Sequence, residues 1–110
     1  MNNEIRKYPG IQMPLFRATA PIQERFEQFD RLNPHVYKIL ISLARQMRQS
    51  HPSRRIGIGM LFEVLRWNYL INTTGDDFKL NNNYRSRYAR MIEAREPDLR
   101  GAFEMRSLHS

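Results

Sequence analysis

The sequence predicts a mainly α-helical fold, a compact bundle of four to five helices. Three observations favour it: apolar residues recur at helical spacing in four segments, asparagine and proline mark several helix starts, and 110 residues suit one domain with a single core. A short β-hairpin or turn is predicted near residues 69–80. We expect an irregular N-terminal arm over residues 1–18, one helical domain over 19–106 and a tail over 107–110.

The first helix is predicted to begin near Thr19, a fair N-cap residue, with Pro21 in its first turn. It should end before Asn33-Pro34, because the residue that precedes a proline avoids helical backbone angles. Its buried face is predicted from apolar residues at helical spacing, which are Ile22, Phe26 and Phe29.

The second helix has the clearest pattern in the chain. Asn33 is predicted as its cap and Pro34 as its first residue, and it should end around Gln49, before a Ser-His-Pro sequence. Its apolar residues follow a helical stripe that predicts the buried face, formed by Val36, Ile39, Leu40, Leu43, Ala44 and Met47.

The third helix is predicted from Gly57 or Ile58 to about Leu70, after a basic connector that contains two glycines. It is apolar on more than one face, a pattern typical of a central helix packed between others. Trp67 lies within this apolar run, so we expect its side chain in the core rather than at a binding surface.

The proposed hairpin would pair residues 69–71 with residues 78–80 around the polar turn 72–77. A fourth helix should follow Asn81-Asn82-Asn83, with one asparagine as N-cap and with Tyr84 and Tyr88 facing the core. A short last helix is predicted from about Pro97 to Met105, with its buried residues at Leu99, Ala102 and Phe103.

The strongest signal in the composition is charge. Eighteen Lys and Arg against 11 Asp and Glu give a net charge of +7, and the excess is nearly all arginine, whose planar fork of donors matches phosphate and carboxylate groups. Charge informs on partners rather than on fold. Nucleic acid is the favoured partner, with DNA ahead of RNA; an acidic protein surface and general solubility are the alternatives.

Other features of composition exclude several classes of protein. The chain has no cysteine, which excludes disulfides, thiolate metal sites and thiol nucleophiles. No apolar run reaches the roughly 18 residues of a membrane span. The N-terminus does not have the pattern of a secretory signal. We therefore expect a cytoplasmic protein that does not act on a membrane.

The segment 79–90 is the main candidate for partner binding. It contains one lysine and three arginines, no acid, and three asparagines at its start. If Asn82 caps the helix, free backbone amides at the positive end of the dipole would favour a phosphate. Asn and Arg are also the residues that read adenine and guanine edges in the major groove. The predicted contacts are Lys79, Asn82, Asn83, Arg85, Arg87 and Arg90.

A basic fourth helix that follows the packed third helix would resemble the recognition helix of a helix-turn-helix motif. The link between the two helices is about ten residues, longer than the three or four of the simple motif. A solvated helix face with asparagine caps is the alternative interpretation.

A second basic group spans the end of the second helix and the following connector, with Arg45, Arg48, Arg54 and Arg55 as further candidate contacts. Cations near a helix C-terminus also interact favourably with its dipole, so part of this group could be simple stabilisation. Sequence does not decide whether the two basic groups share a face.

The chain offers little for catalysis. Its three histidines are far apart and lack metal-ligand spacing. No serine lies in a nucleophile-elbow pattern. We therefore predict no catalytic residue, no metal and no cofactor. The acid-x-Lys sequence Asp77-Phe78-Lys79 leaves a metal-dependent nuclease as a third-ranked alternative.

Several short stretches are similar to a family of small, uncharacterised proteins of bacterial viruses and prophages. They are Arg66-Trp67, the run from Thr74 to Lys79, Asn81–Tyr84 and Arg87–Arg90. The resemblance covers residues 33–106 and is most specific over 75–90. It implies a viral or prophage origin and an intracellular setting, and it supplies no activity.

Together these patterns predict a small, non-catalytic accessory protein that binds nucleic acid through an Arg- and Asn-rich helix. The alternative is a module that binds or inhibits an acidic host protein, where the same arginines would meet carboxylates. The sequence leaves the oligomeric state open; groove readers often act as symmetric dimers, so a homodimer is compatible with this hypothesis.

Overall fold

A computed structural model of the chain describes residues 10–11, 19–72 and 82–104, with side chains up to Tyr69 in the middle range. It confirms the mainly helical fold. Within these described residues the α-helices are α1 (Ile22–Leu32), α2 (Pro34–Ser50), α3 (Ile58–Asn72) and α4 (Arg85–Arg95). Two 3₁₀ turns flank α4, at Asn82–Tyr84 and Pro97–Leu99.

Several predicted segments lie outside the described residues. They are the arm over 1–18, apart from Gly10 and Ile11, the turn over 73–80 and the tail over 107–110. The first strand of the proposed hairpin, residues 69–71, was predicted wrongly. These residues form the last turn of α3, because the helix continues to Asn72.

The junction of α1 and α2 lies at Asn33. Pro34 is the first residue of α2, as predicted, but the Asn33 side chain does not cap that helix. It is fully buried, and its Nδ2 donates to the Phe29 carbonyl oxygen over 3.0 Å. It therefore closes the end of α1 instead. The start of α1 was also predicted too early, since it begins at Ile22 after Pro21 rather than at a Thr19 cap.

The core lies where α2, α3 and α4 pack against one another, with α1 against α2. Aromatic rings join α1 to the start of α4: the centroid of Phe26 is 4.8 Å from that of Tyr88, and the centroid of Phe29 is 5.2 Å from that of Tyr84. Tyr84 and Tyr88 are both buried, which confirms their predicted core orientation.

The C-terminal segment differs from the predicted last helix. Only Pro97–Leu99 forms a 3₁₀ turn, and Gly101 then adopts a φ of 74°, in the left-handed region that a helix does not use. The chain continues extended and pairs with the connector between α2 and α3. There, the Ile56 amide donates to the Ala102 carbonyl oxygen over 2.8 Å. Leu99, Ala102 and Phe103 are buried, as predicted.

No helix in the described part of the chain has both the length and the apolar character needed to cross a bilayer.

Candidate nucleic-acid interface

Asn82 does not cap α4 in the predicted way. Asn82 lies in a 3₁₀ turn, and the residue at the N-cap position is Tyr84, which makes no side-chain cap. The Asn82 carbonyl oxygen accepts a hydrogen bond from Arg85 Nε over 3.2 Å, and its side-chain oxygen accepts one from Arg66. Asn82, which was expected to cap the helix, therefore binds two guanidinium groups instead.

The three arginines of α4 that were predicted as contacts point in two directions. Arg87 and Arg90 are three residues apart and lie on the same side of the helix, whereas Arg85 and Arg87 are two apart and do not. Arg87 Nε donates to Gln23 Oε1 of α1 over 2.9 Å, and its Nη1 donates to the Asn83 carbonyl oxygen over 3.3 Å. Arg90 is exposed one turn further on.

Arg85 instead lies over the start of α3. Its Nη1 is 3.2 Å from the position that a Cβ atom would take at Gly59. Because Gly59 has no side chain, the guanidinium group can lie directly on the helix. Arg55 precedes Gly59 by four residues, so their Cα atoms are at most about 14 Å apart. The exposed connector arginines, Arg54 and Arg55, thus lie on the segment that leads into the start of α3.

Arg45 forms ion pairs with two acids that follow α4. Its guanidinium group binds Asp98 over 2.9 Å and Glu96 over 2.8 Å, near the second 3₁₀ turn. These hydrogen bonds raise the pKa of Arg45, and the bond from Arg45 lowers the pKa of the Asp98 carboxyl. Arg48 lies one turn further along α2, close enough to lower the pKa of Asp98 as well. The charge of Arg45 is therefore engaged within the molecule.

The remaining predicted arginines keep their charge uncompensated within the described residues. No described carboxylate lies within ion-pair distance of Arg54, Arg55, Arg85, Arg87 or Arg90. Lys79, the one lysine of the predicted set, lies outside the described residues. The predicted arginines that are left without an ion pair among the described residues are therefore two on the connector, one over the start of α3 and two on α4.

Sequence reasoning missed the exposed apolar side chains of α3. Trp67 is 60% exposed and not part of the core, contrary to prediction, and Met60 and Val64 are exposed with it. They are spaced by four and three residues, which places them on one face of the helix. The spacing was visible in the sequence, but it could not show which of the two apolar faces of α3 meets the core.

No group of three histidine or carboxylate side chains in the described residues could hold a metal ion. Asp77 and Lys79, the residues of the nuclease alternative, lie outside the described residues.

Comparison of the chain with protein-family models, with curated proteins and with solved structures gives no match.

Proposed function

We propose that this protein is a non-catalytic, DNA-binding accessory protein of a bacterial virus or prophage. The observation that carries the proposal is that no carboxylate among the described residues pairs with Arg54, Arg55, Arg85, Arg87 or Arg90. Guanidinium groups without internal carboxylate partners retain their capacity for bidentate contacts with an outside anion. The viral origin rests on the sequence resemblance alone.

The hydrogen bonds around these arginines support phosphate binding more than base reading. Arg87 is held by Gln23 and Asn83, and Arg85 by Asn82, so both guanidinium groups are partly oriented before a partner arrives. Orientation in advance lowers the entropy lost on binding. Asn82 and Asn83 therefore position arginines in this proposal, and Arg45 is omitted from the contact set because acids already neutralise it.

The proposal is tested by measuring the fluorescence anisotropy of labelled DNA, single-stranded and duplex, over a series of salt concentrations. Each phosphate contact that is lost should lower the slope of log affinity against log salt by about 1. We expect the double variant Arg87→Ala/Arg90→Ala to bind more weakly and to lower the slope by about 2. Arg45→Ala is the matched control and should bind as the wild type does.

Two outcomes would count against DNA binding. The first is an absence of binding to either form of DNA at low salt. The second is an equal loss of affinity in the Arg45 variant and in the Arg87/Arg90 variant. If affinity capture instead recovers one stoichiometric acidic protein, and nuclease treatment does not release it, the same arginines serve the alternative function of protein binding.

A further inference from the structure

An apolar stripe runs along the outer face of α3. It consists of Met60, Val64 and Trp67, which are 43%, 36% and 60% exposed. The opposite face of the helix carries the buried residues Leu61, Phe62, Leu65 and Tyr69. The stripe is therefore not needed for packing within the described fold. Tryptophan exposed to this degree is uncommon because its ring is the largest apolar surface that a residue can bury.

A cationic strip lies about 100° around α3 from this stripe, which is the rotation between consecutive residues of a helix. Arg66 precedes Trp67 in the chain, and Arg85 lies over Gly59, which precedes Met60. Asn82 joins the two arginines, accepting hydrogen bonds from both. Glu63 pairs with Arg66 over 2.6 Å and so neutralises only one of the two guanidinium groups. The strip therefore keeps a positive charge.

A partner that fits both features must present flat apolar rings and negative charge at close spacing. Unpaired DNA does so, because each nucleotide carries one phosphate and a base with an exposed π face, and aromatic side chains in a basic groove are the usual means of binding it. Duplex DNA hides the faces of its bases in the stack. Three exposed apolar residues are also few for a stable protein interface, which buries about 800 Å² on each partner.

We propose that Trp67 is a stacking platform for an unpaired base of DNA and that Arg85 holds a phosphate of the same strand. This inference rests on the proposed function and specifies its substrate as single-stranded. Trp67 and Gly59, over which Arg85 lies, are eight residues apart on α3, about 12 Å along the helix axis. That length corresponds to about three or four stacked nucleotides.

The chain contains a single tryptophan, so intrinsic fluorescence reports on this position alone. Titration with a short oligothymidylate should quench the emission, and an equal concentration of duplex should quench it much less. In anisotropy titrations, Trp67→Ala should weaken binding of the single strand by about tenfold, the equivalent of one lost base stack. Trp67→Phe should restore most of the loss. Because Trp67 is exposed, neither variant should unfold the protein.

Leu32→Ala serves as the matched control, because Leu32 is an exposed apolar residue on another helix. It should leave single-strand affinity unchanged. If Trp67→Ala also leaves it unchanged while Arg87→Ala/Arg90→Ala weakens it, the stacking role is wrong and DNA binding stands. If no DNA binds, both proposals fail. Stronger quenching by oligouridylate than by oligothymidylate would overturn the assignment to DNA.

An exposed apolar stripe can also mediate self-association, and sedimentation distinguishes self-association from base stacking. A wild-type dimer that Trp67→Ala converts to a monomer, without quenching by the oligonucleotide, would identify the stripe as a contact between copies of the chain and overturn the stacking role. A sedimentation coefficient that is the same in the wild type and in Trp67→Ala, together with quenching, supports the stacking role.

Discussion

Two tyrosines show how differently the same hydroxyl group can be accommodated. Tyr37 donates its hydroxyl hydrogen to Glu96 Oε2 over 3.0 Å, and the Arg95 guanidinium carbon lies 5.4 Å from its ring centroid. Burial and this hydrogen bond raise the pKa of Tyr37 to about 12, so the hydroxyl donates throughout the ordinary pH range. The Tyr88 hydroxyl is buried without a hydrogen-bond partner among the described residues, and burial raises its pKa as well.

Replacing each tyrosine by phenylalanine should therefore have opposite consequences. Tyr37→Phe should lower the free energy of unfolding by about 1 kcal/mol, because the hydrogen bond to Glu96 is lost. Tyr88→Phe should leave it unchanged or raise it by up to about 1 kcal/mol, because an unsatisfied buried hydroxyl is removed. Urea unfolding followed by circular dichroism measures both. A loss of more than about 1 kcal/mol in Tyr88→Phe would show that its hydroxyl is satisfied after all.

At the scale of the helices, the sequence predicts those features that are determined by residues close together in the chain. The apolar stripe and Pro34 were sufficient to predict the start and the buried face of α2, because both signals are local to that helix. The role of Asn82 and the exposure of Trp67 were not predictable, because they depend on which elements pack beside them. Arg45 is the clearest case: it binds Asp98, 53 residues away in the sequence, and no local pattern indicates that pairing.

Two glycines provide a matched test of local backbone requirements. Gly59→Ala should stabilise the fold by up to about 1 kcal/mol, because alanine is the better helix former. Only the flexible end of the Arg85 side chain, 3.2 Å from the new Cβ atom, has to move. Gly101→Ala should destabilise by about 1–2 kcal/mol, because its φ of 74° strains any residue with a side chain.

Thermal unfolding of the two glycine variants shows whether each substitution raises or lowers the stability of the fold. Destabilisation by Gly59→Ala would mean that Arg85 cannot shift and is held in place by its contacts. Stabilisation by Gly101→Ala would contradict the left-handed turn that ends the second 3₁₀ segment.

For the molecule as a whole, the C-terminal segment connects the core to the proposed interface. The Phe103 amide donates to Glu93 Oε2 of α4 over 3.0 Å, and Phe103 also forms the isolated bridge with Ile56. Ile56 is fully buried and directly follows the exposed pair Arg54-Arg55. The position of these two charges therefore depends on residues almost fifty positions later in the chain.

Phe103→Ala should accordingly affect both stability and binding. Removal of a fully buried phenylalanine costs about 3–5 kcal/mol, a large share of the 5–15 kcal/mol that is typical of a domain. We expect one cooperative thermal transition at a lower temperature, and weaker DNA binding even below that transition, because the connector arginines lose their support. Arg100 is an exposed residue of the same segment, so Arg100→Ala should change neither the melting temperature nor DNA binding. An unchanged melting temperature in Phe103→Ala would mean that the segment covers a core already complete without it, and that Ile56 alone holds the connector.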